Sequence, residues 1–204
     1  MKAHSVNDEN LVVEDSWGMP LIGIRLTESI EELLAMNPEL KIEQNANGEI
    51  VFMSPTGGES GGRNAEISAE LYQWAKRFGG LTFDSSTLFR LPNGANRSPD
   101  ASWISSERWN ALSKEDRQRF PPLCPDFLIE LSSEADRLDE LQTKMVEYVG
   151  VGLRLGWLID PLLKRVHVYR PGEQPEVLVR LDSIAGDEVL PNFVLDLKSI
   201  WTDS

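Results

Sequence analysis

The sequence predicts a single α/β domain. Three observations lead there: short apolar runs of strand length, longer segments whose apolar residues recur at helical spacing, and the interleaving of the two along the chain. With 204 residues, 41% of them hydrophobic and 26% charged, the chain is long enough for one well-buried domain, and no composition shift divides it. Residues 1–18 are polar, mixed and without period, and read as a flexible N-terminal arm; residues 19–204 read as the domain.

Residues 19–26 suit a short extended segment. Thr27 then stands as N-cap before the helical run Ile30, Leu33, Leu34, which stops near Pro38. Segments 40–44 and 49–53 flank Asn47-Gly48, a pair that adopts positive φ in tight turns, so a β-hairpin is expected. The glycine-rich stretch 54–62 lacks the Lys-Ser/Thr of a phosphate-binding loop and reads as a flexible entry into a helix over 63–78, whose buried stripe is Ile67, Leu71, Trp74 and Phe78. Glu59, Glu66 and Glu70 flank that stripe and have the plain reading of a solvated face. Strands are expected at 81–84, 87–91 and 99–104, then a charged helical insertion over 105–120 stopped by Pro121-Pro122. Phe127-Leu-Ile is typical of a buried strand, and Leu138, Leu141, Met145 and Val149 mark the core face of the helix that follows. Strands at 153–159 and 165–169, an edge strand at 177–181, and a closing segment from Leu190 complete the chain.

Composition excludes several classes. No apolar run approaches the roughly 18 residues that span a bilayer, and the first residues lack the apolar core of a signal peptide, so a cytoplasmic protein without membrane contact is expected. The one cysteine, Cys124, excludes an intrachain disulfide and a cysteine-cluster metal site. With only His4 and His167, a Ser-His-Asp triad has one plausible base, His167. The net charge of −13 opposes tight nonspecific binding of nucleic acid, which usually rests on a basic surface. Any such binding is expected to be weak, salt-sensitive and dependent on a local cationic patch, for which Arg63, Arg90, Arg97 and Lys144 are the candidates.

The order Asp100, Glu130, Lys144 suggests chemistry. If the two strands carrying the acids are neighbours, their carboxylates converge at one sheet edge, where hard oxygen ligands suit Mg²⁺, with Mn²⁺ as the alternative ion. Lys144, at the margin of the apolar arc beside Tyr148, would add a positive charge there. Plainer readings stand beside each: Asp100 as a turn residue, Glu130 satisfied by an arginine, and Lys144 in an i,i+4 surface pair with Glu140. A carboxylate pair of this kind also serves glycoside hydrolysis, without metal or lysine.

The chain resembles the Uma2 family of the PD-(D/E)XK restriction-endonuclease-like superfamily. The matching residues are Met53-Ser-Pro-Thr-Gly-Gly-Glu59, Ser98-Pro-Asp100, Ile129-Glu-Leu-Ser132, Lys144 with Tyr148, Gly150 and Val151, Trp157-Leu-Ile-Asp-Pro161, Val166-x-Val-Tyr169 and Leu190-Pro-Asn-Phe193. They run in family order over roughly residues 25–200. The resemblance implies a mixed β-sheet flanked by helices, with an N-terminal helix and hairpin. It also implies a Mg²⁺-dependent endonuclease in which Asp100 and Glu130 bind metal, Lys144 is the catalytic lysine, and Glu59 is the acid before the first helix. Two positions depart from the family pattern: Ser132 stands where Glu-x-Lys would place a lysine, and Ser60 where a histidine is common. The acidic charge admits a second expectation, an idle nuclease fold that binds or regulates; a homodimer is admitted but not required.

Overall fold

The computed structural model describes residues 29–134 and 136–201 with their side chains, together with the backbone of three N-terminal strands, β1 (Lys2–Asn7), β2 (Asn10–Glu14) and β3 (Pro20–Arg25). These pair antiparallel in the order β1-β2-β3, so part of the segment expected as an arm has strand structure. Thr27, the expected N-cap, lies outside the described residues. Helix α1 (Ile30–Met36) is capped by Ser29, whose hydroxyl accepts the Glu32 N–H at 3.2 Å. The hairpin is β4 (Ile42–Gln44) and β5 (Ile50–Phe52), turning through Gly48 at φ 88°.

Helix α2 (Gly58–Phe78) begins five residues before its expected start, because the glycine-rich entry is itself helical. Glu59 in the first turn complements the helix dipole and pairs with Arg63 one turn on, at 3.1 Å. There follow β6 (Leu81–Asp84), β7 (Phe89–Arg90), β8 (Asn96–Arg97) and β9 (Ala101–Ile104). The insertion is two short helices, α3 (Ser106–Ala111) and α4 (Lys114–Gln118), the second capped by Ser113. The remainder is β10 (Phe127–Leu131), α5 (Leu138–Gly150), β11 (Leu155–Asp160), β12 (Arg165–Tyr169), β13 (Glu176–Val179), β14 (Ser183–Ala185) and β15 (Val194–Asp196).

The central sheet has the order β13-β12-β11-β10-β9-β6. Only β10 and β11 pair in parallel, joined by α5 as their crossover, which makes the sheet mixed, as expected. A smaller sheet, β5-β4-β8-β7, carries the hairpin. The period of two along β10 explains the layers. Phe127, Ile129 and Leu131 face α2, where Ile67, Leu71 and Trp74 meet Trp157 and Phe193 from β11 and the C-terminal segment. Leu128 faces the opposite way, into the core built by Met145 and Tyr148 of α5 with Leu158. By that alternation Glu130 also belongs to the α5 face. Met145 of α5 packs directly over Gly156 of β11, where a Cβ would stand 2.6 Å from Met145 Cε. Among the described residues no helix is long and apolar enough to cross a membrane.

Candidate active site

The antiparallel register of β9 and β10 sets Ile129 opposite Ala101, and one further step brings Glu130 opposite Asp100. The two acids thus meet at one sheet edge. Asp100 Oδ2 accepts the Leu131 N–H at 2.8 Å, while Oδ1 accepts from Asn64 Nδ2 of α2 at 2.9 Å. Glu130 Oε1 accepts from the Lys144 ammonium at 2.9 Å and from the Tyr148 hydroxyl at 3.0 Å. Lys144 and Tyr148 are one turn apart on α5, so a single helix face supplies both donors.

Lys144 is shared. Its ammonium also lies 2.9 Å from Glu43 Oε1 on β4, and the side chain is only 12% exposed. The surface pair with Glu140 is not formed; Glu140 pairs with Arg137 instead, at 3.4 Å. Glu43 further accepts the Ser98 N–H at 2.8 Å and an Arg97 N–H at 3.2 Å, and Arg97 reaches on to Glu147 at 2.7 Å. Charges of alternating sign therefore run Glu147, Arg97, Glu43, Lys144, Glu130, with Asp100 beyond. Four carboxylates face two cations in this buried chain, leaving an excess of negative charge.

The excess is visible in the protonation equilibria. Burial pushes Glu130 up to about 7; Lys144 opposes the rise, and Asp100 and Glu43 add to it. Burial also raises Asp100, against the Leu131 N–H, Lys144 and Asn64, which favour its charge. Burial disfavours the charge on Lys144, but Glu130 and Glu43 more than offset that and hold it above the ordinary lysine value. Glu43 ends below its ordinary value: burial would raise it, but Lys144, Ser98 and Arg97 together outweigh that.

Asp100, Glu130 and Lys144 line a cleft of about 1070 Å³ roofed by the hairpin residues Val51, Phe52 and Met53. Among the described residues no three His, Cys, Asp or Glu side chains cluster to cage an ion. The donor set nevertheless fits a hard cation. It offers two carboxylates and the Asn64 Oδ1, a buried oxygen with no hydrogen-bond donor, and its net charge is negative. An ion of the Mg²⁺ kind is commonly held by one or two carboxylates and completed by water and substrate oxygens.

The structure does not bring Glu59 to this site: its side chain is exposed and pairs with Arg63. His167 lies in β12 outside the cleft lining, and Cys124 is buried with its thiol pushed up to about 12 by that burial. The four cations named for a phosphate patch all carry carboxylate partners, Arg90 with Glu31 at 3.2 Å among them. Sequence reasoning missed Glu43 and Asn64. Neither has a local signal, since each is recruited by packing between distant segments.

A six-stranded mixed sheet between helices, with one acid on β10, another at the entry to the neighbouring β9 and a lysine on the crossover helix, has the restriction-endonuclease-like fold. The comparison with solved structures agrees. The crystal structure of a "putative nuclease belonging to DUF820" from Anabaena variabilis ATCC 29413 superposes with a TM-score of 0.68 at 21% identity, over 80% of this chain and 90% of that one. The chain belongs to the Uma2 family, whose model, described as "Putative restriction endonuclease", matches residues 27–198. No curated protein matches it.

Proposed function

We propose that the chain is a metal-dependent nuclease that hydrolyses phosphodiester bonds in the cleft above Asp100 and Glu130. The observation that carries this reading is the meeting of Asp100, Glu130 and Lys144, from three separate elements, in one open cleft with uncompensated negative charge. Asp100, Glu130 and Asn64 would hold Mg²⁺ or Mn²⁺, which when bound supplies Lewis-acid polarisation of a phosphate oxygen and a more acidic water. Asn64 and the Leu131 N–H hold the Asp100 carboxylate in place. Lys144 stays protonated at neutral pH, so it acts as a charge and hydrogen-bond donor rather than as a base. Glu43 keeps that ammonium at the cleft when Glu130 is engaged elsewhere.

Nucleic-acid cleavage with Mg²⁺ or Mn²⁺ at micromolar protein tests the proposal. We expect cleavage abolished by EDTA and by Asp100→Asn; failure to cut any form of DNA or RNA would count against it. EDTA-resistant cleavage of a glycoside would point to the carboxylate-pair alternative instead. An idle fold acting as a binding module draws support from one observation, the pairing of Arg97 and Lys144 with carboxylates inside the cleft. It predicts metal binding without turnover.

A further inference from the structure

Glu130 is held by one of its two oxygens. The Lys144 ammonium at 2.9 Å and the Tyr148 hydroxyl at 3.0 Å both donate to Oε1, so Oε2 is the oxygen left to the cleft that Glu130 lines. Asp100 differs, with one donor on each oxygen: the Leu131 N–H on Oδ2 and Asn64 Nδ2 on Oδ1. The two donors on Glu130 are unequal in stiffness. Lys144 reaches it on a flexible aliphatic stem, and its ammonium is shared with Glu43 at 2.9 Å. Tyr148 has a rigid ring, fully buried in the core with Leu128, Met145 and Leu158, and its backbone oxygen accepts from the Cys124 thiol at 3.7 Å. Its hydroxyl therefore cannot follow the carboxylate if that group turns.

We propose, resting on the metal-dependent reading above, that Tyr148 is a positioning residue that makes Glu130 a one-oxygen ligand and so holds down the affinity for Ca²⁺ relative to Mg²⁺. Ligand count decides the sign. Ca²⁺ takes about six to eight oxygens and readily uses both oxygens of one carboxylate, whereas Mg²⁺ demands a near-ideal octahedron and keeps several of its waters. Asp100, Glu130 and the Asn64 Oδ1 give few protein oxygens, so Ca²⁺ gains most from a second oxygen of Glu130. To supply it, Oε1 has to leave the Tyr148 hydroxyl, and that buried donor then loses its acceptor. Ca²⁺ meets this penalty and Mg²⁺ does not.

Calorimetric titrations of Mg²⁺ and of Ca²⁺ into the metal-free wild type, Tyr148→Phe and Asp100→Asn test the assignment. Tyr148→Phe keeps the buried ring and removes only the hydroxyl. Groups that hold a metal ligand in place commonly set affinity by about 10–100-fold, so the ratio of Ca²⁺ to Mg²⁺ affinity should rise about tenfold or more in this variant. A ratio equal to that of the wild type overturns the proposal even if both affinities fall, because lost packing alone weakens the two ions alike. Asp100→Asn reports on the metal site itself and should weaken both ions. If it does so while the Tyr148→Phe ratio stays put, only the role of Tyr148 falls. If it binds both ions as the wild type does, or the wild type binds neither, the metal reading fails and the proposal with it. Should Tyr148→Phe not fold, infrared difference spectra of the wild type against Glu130→Gln on adding Mg²⁺ decide. A carboxylate bound through one oxygen spreads its symmetric and antisymmetric stretches apart, which is the expected result; a narrowed pair, the mark of both oxygens, refutes the assignment.

Discussion

In the proposed nuclease Lys144 is the side chain on which the chemistry turns, and its two partners, Glu43 and Glu130, separate role from scaffold. Losing one transition-state donor commonly costs two to three orders of magnitude, so Lys144→Ala should lower turnover about 10²–10³-fold at saturating metal. Metal affinity should stay equal or rise, because a repelling cation is gone; Lys144→Arg should not fully rescue the rate. Glu43→Gln leaves Arg97 and Lys144 short of a buried counter-ion and should cost about 3 kcal/mol in denaturant unfolding, whereas Glu140→Ala should cost a few tenths. The pH dependence has a definite sign. Folded Glu130 holds its proton more tightly than the unfolded chain, so the metal-free protein loses this group's stability as pH rises from 4.5 to about 7. Folded Glu43 has the opposite shift, and its stabilisation is lost only as pH falls below 4.5. Thermal unfolding across pH 4.5–8 should show a larger loss in the wild type than in Glu130→Gln, where the raised Asp100 still contributes a loss of the same sign. Asp100, Glu130 and Lys144 were legible because each stands beside a marked apolar pattern. Glu43 was not, since its place is marked only by ion pairs with Arg97 and Lys144, both far away in the chain.

Elements with a strong period were legible in the same way. The apolar stripes of α2 and α5 and the runs of β10 and β11 are local signals, although Phe78, expected in the buried stripe of α2, is 50% exposed at the helix end; β13 was expected as an edge strand, where it lies. The helical glycine-rich entry to α2 was not legible, because glycine opposes helix by propensity and only the Glu59–Arg63 pair and the packing of the rest of the helix offset it. Strands β1 and β2 have no alternation to reveal them, and their pairing is with each other and β3. The placement of α5 over the sheet brings Lys144 to Glu130, and Met145 Cε and Leu153 Cδ2 fill the space that Gly156 leaves. Gly156→Ala should destabilise the fold by only about 1 kcal/mol, since the added Cβ meets Met145 Cε and Leu153 Cδ2, side-chain ends that can move aside without shifting the helix. A loss of several kcal/mol in denaturant unfolding would show that these two side chains cannot repack.

For the whole molecule the governing quantity is charge. The sequence shows −13 but not where it falls; the fold gathers Glu43, Glu130, Glu147 and Asp100 at one cleft and pairs the cations there. The four cations expected to form a local patch all carry carboxylate partners, so on the proposed reading phosphate attraction comes largely from bound divalent ions. Nucleic-acid binding should be lost in EDTA, return with Mn²⁺ or Ca²⁺, and weaken steeply between about 50 and 200 mM salt, as anisotropy titrations can follow. The most direct test of the central claim is a calorimetric Mn²⁺ titration of the metal-free wild type beside Asp100→Asn at neutral pH. We predict a binding isotherm with proton release in the wild type, as Glu130 gives up its raised proton, and affinity at least tenfold weaker in the variant. Equal affinity in the two proteins, or no binding in either, would contradict a metal site at Asp100 and Glu130.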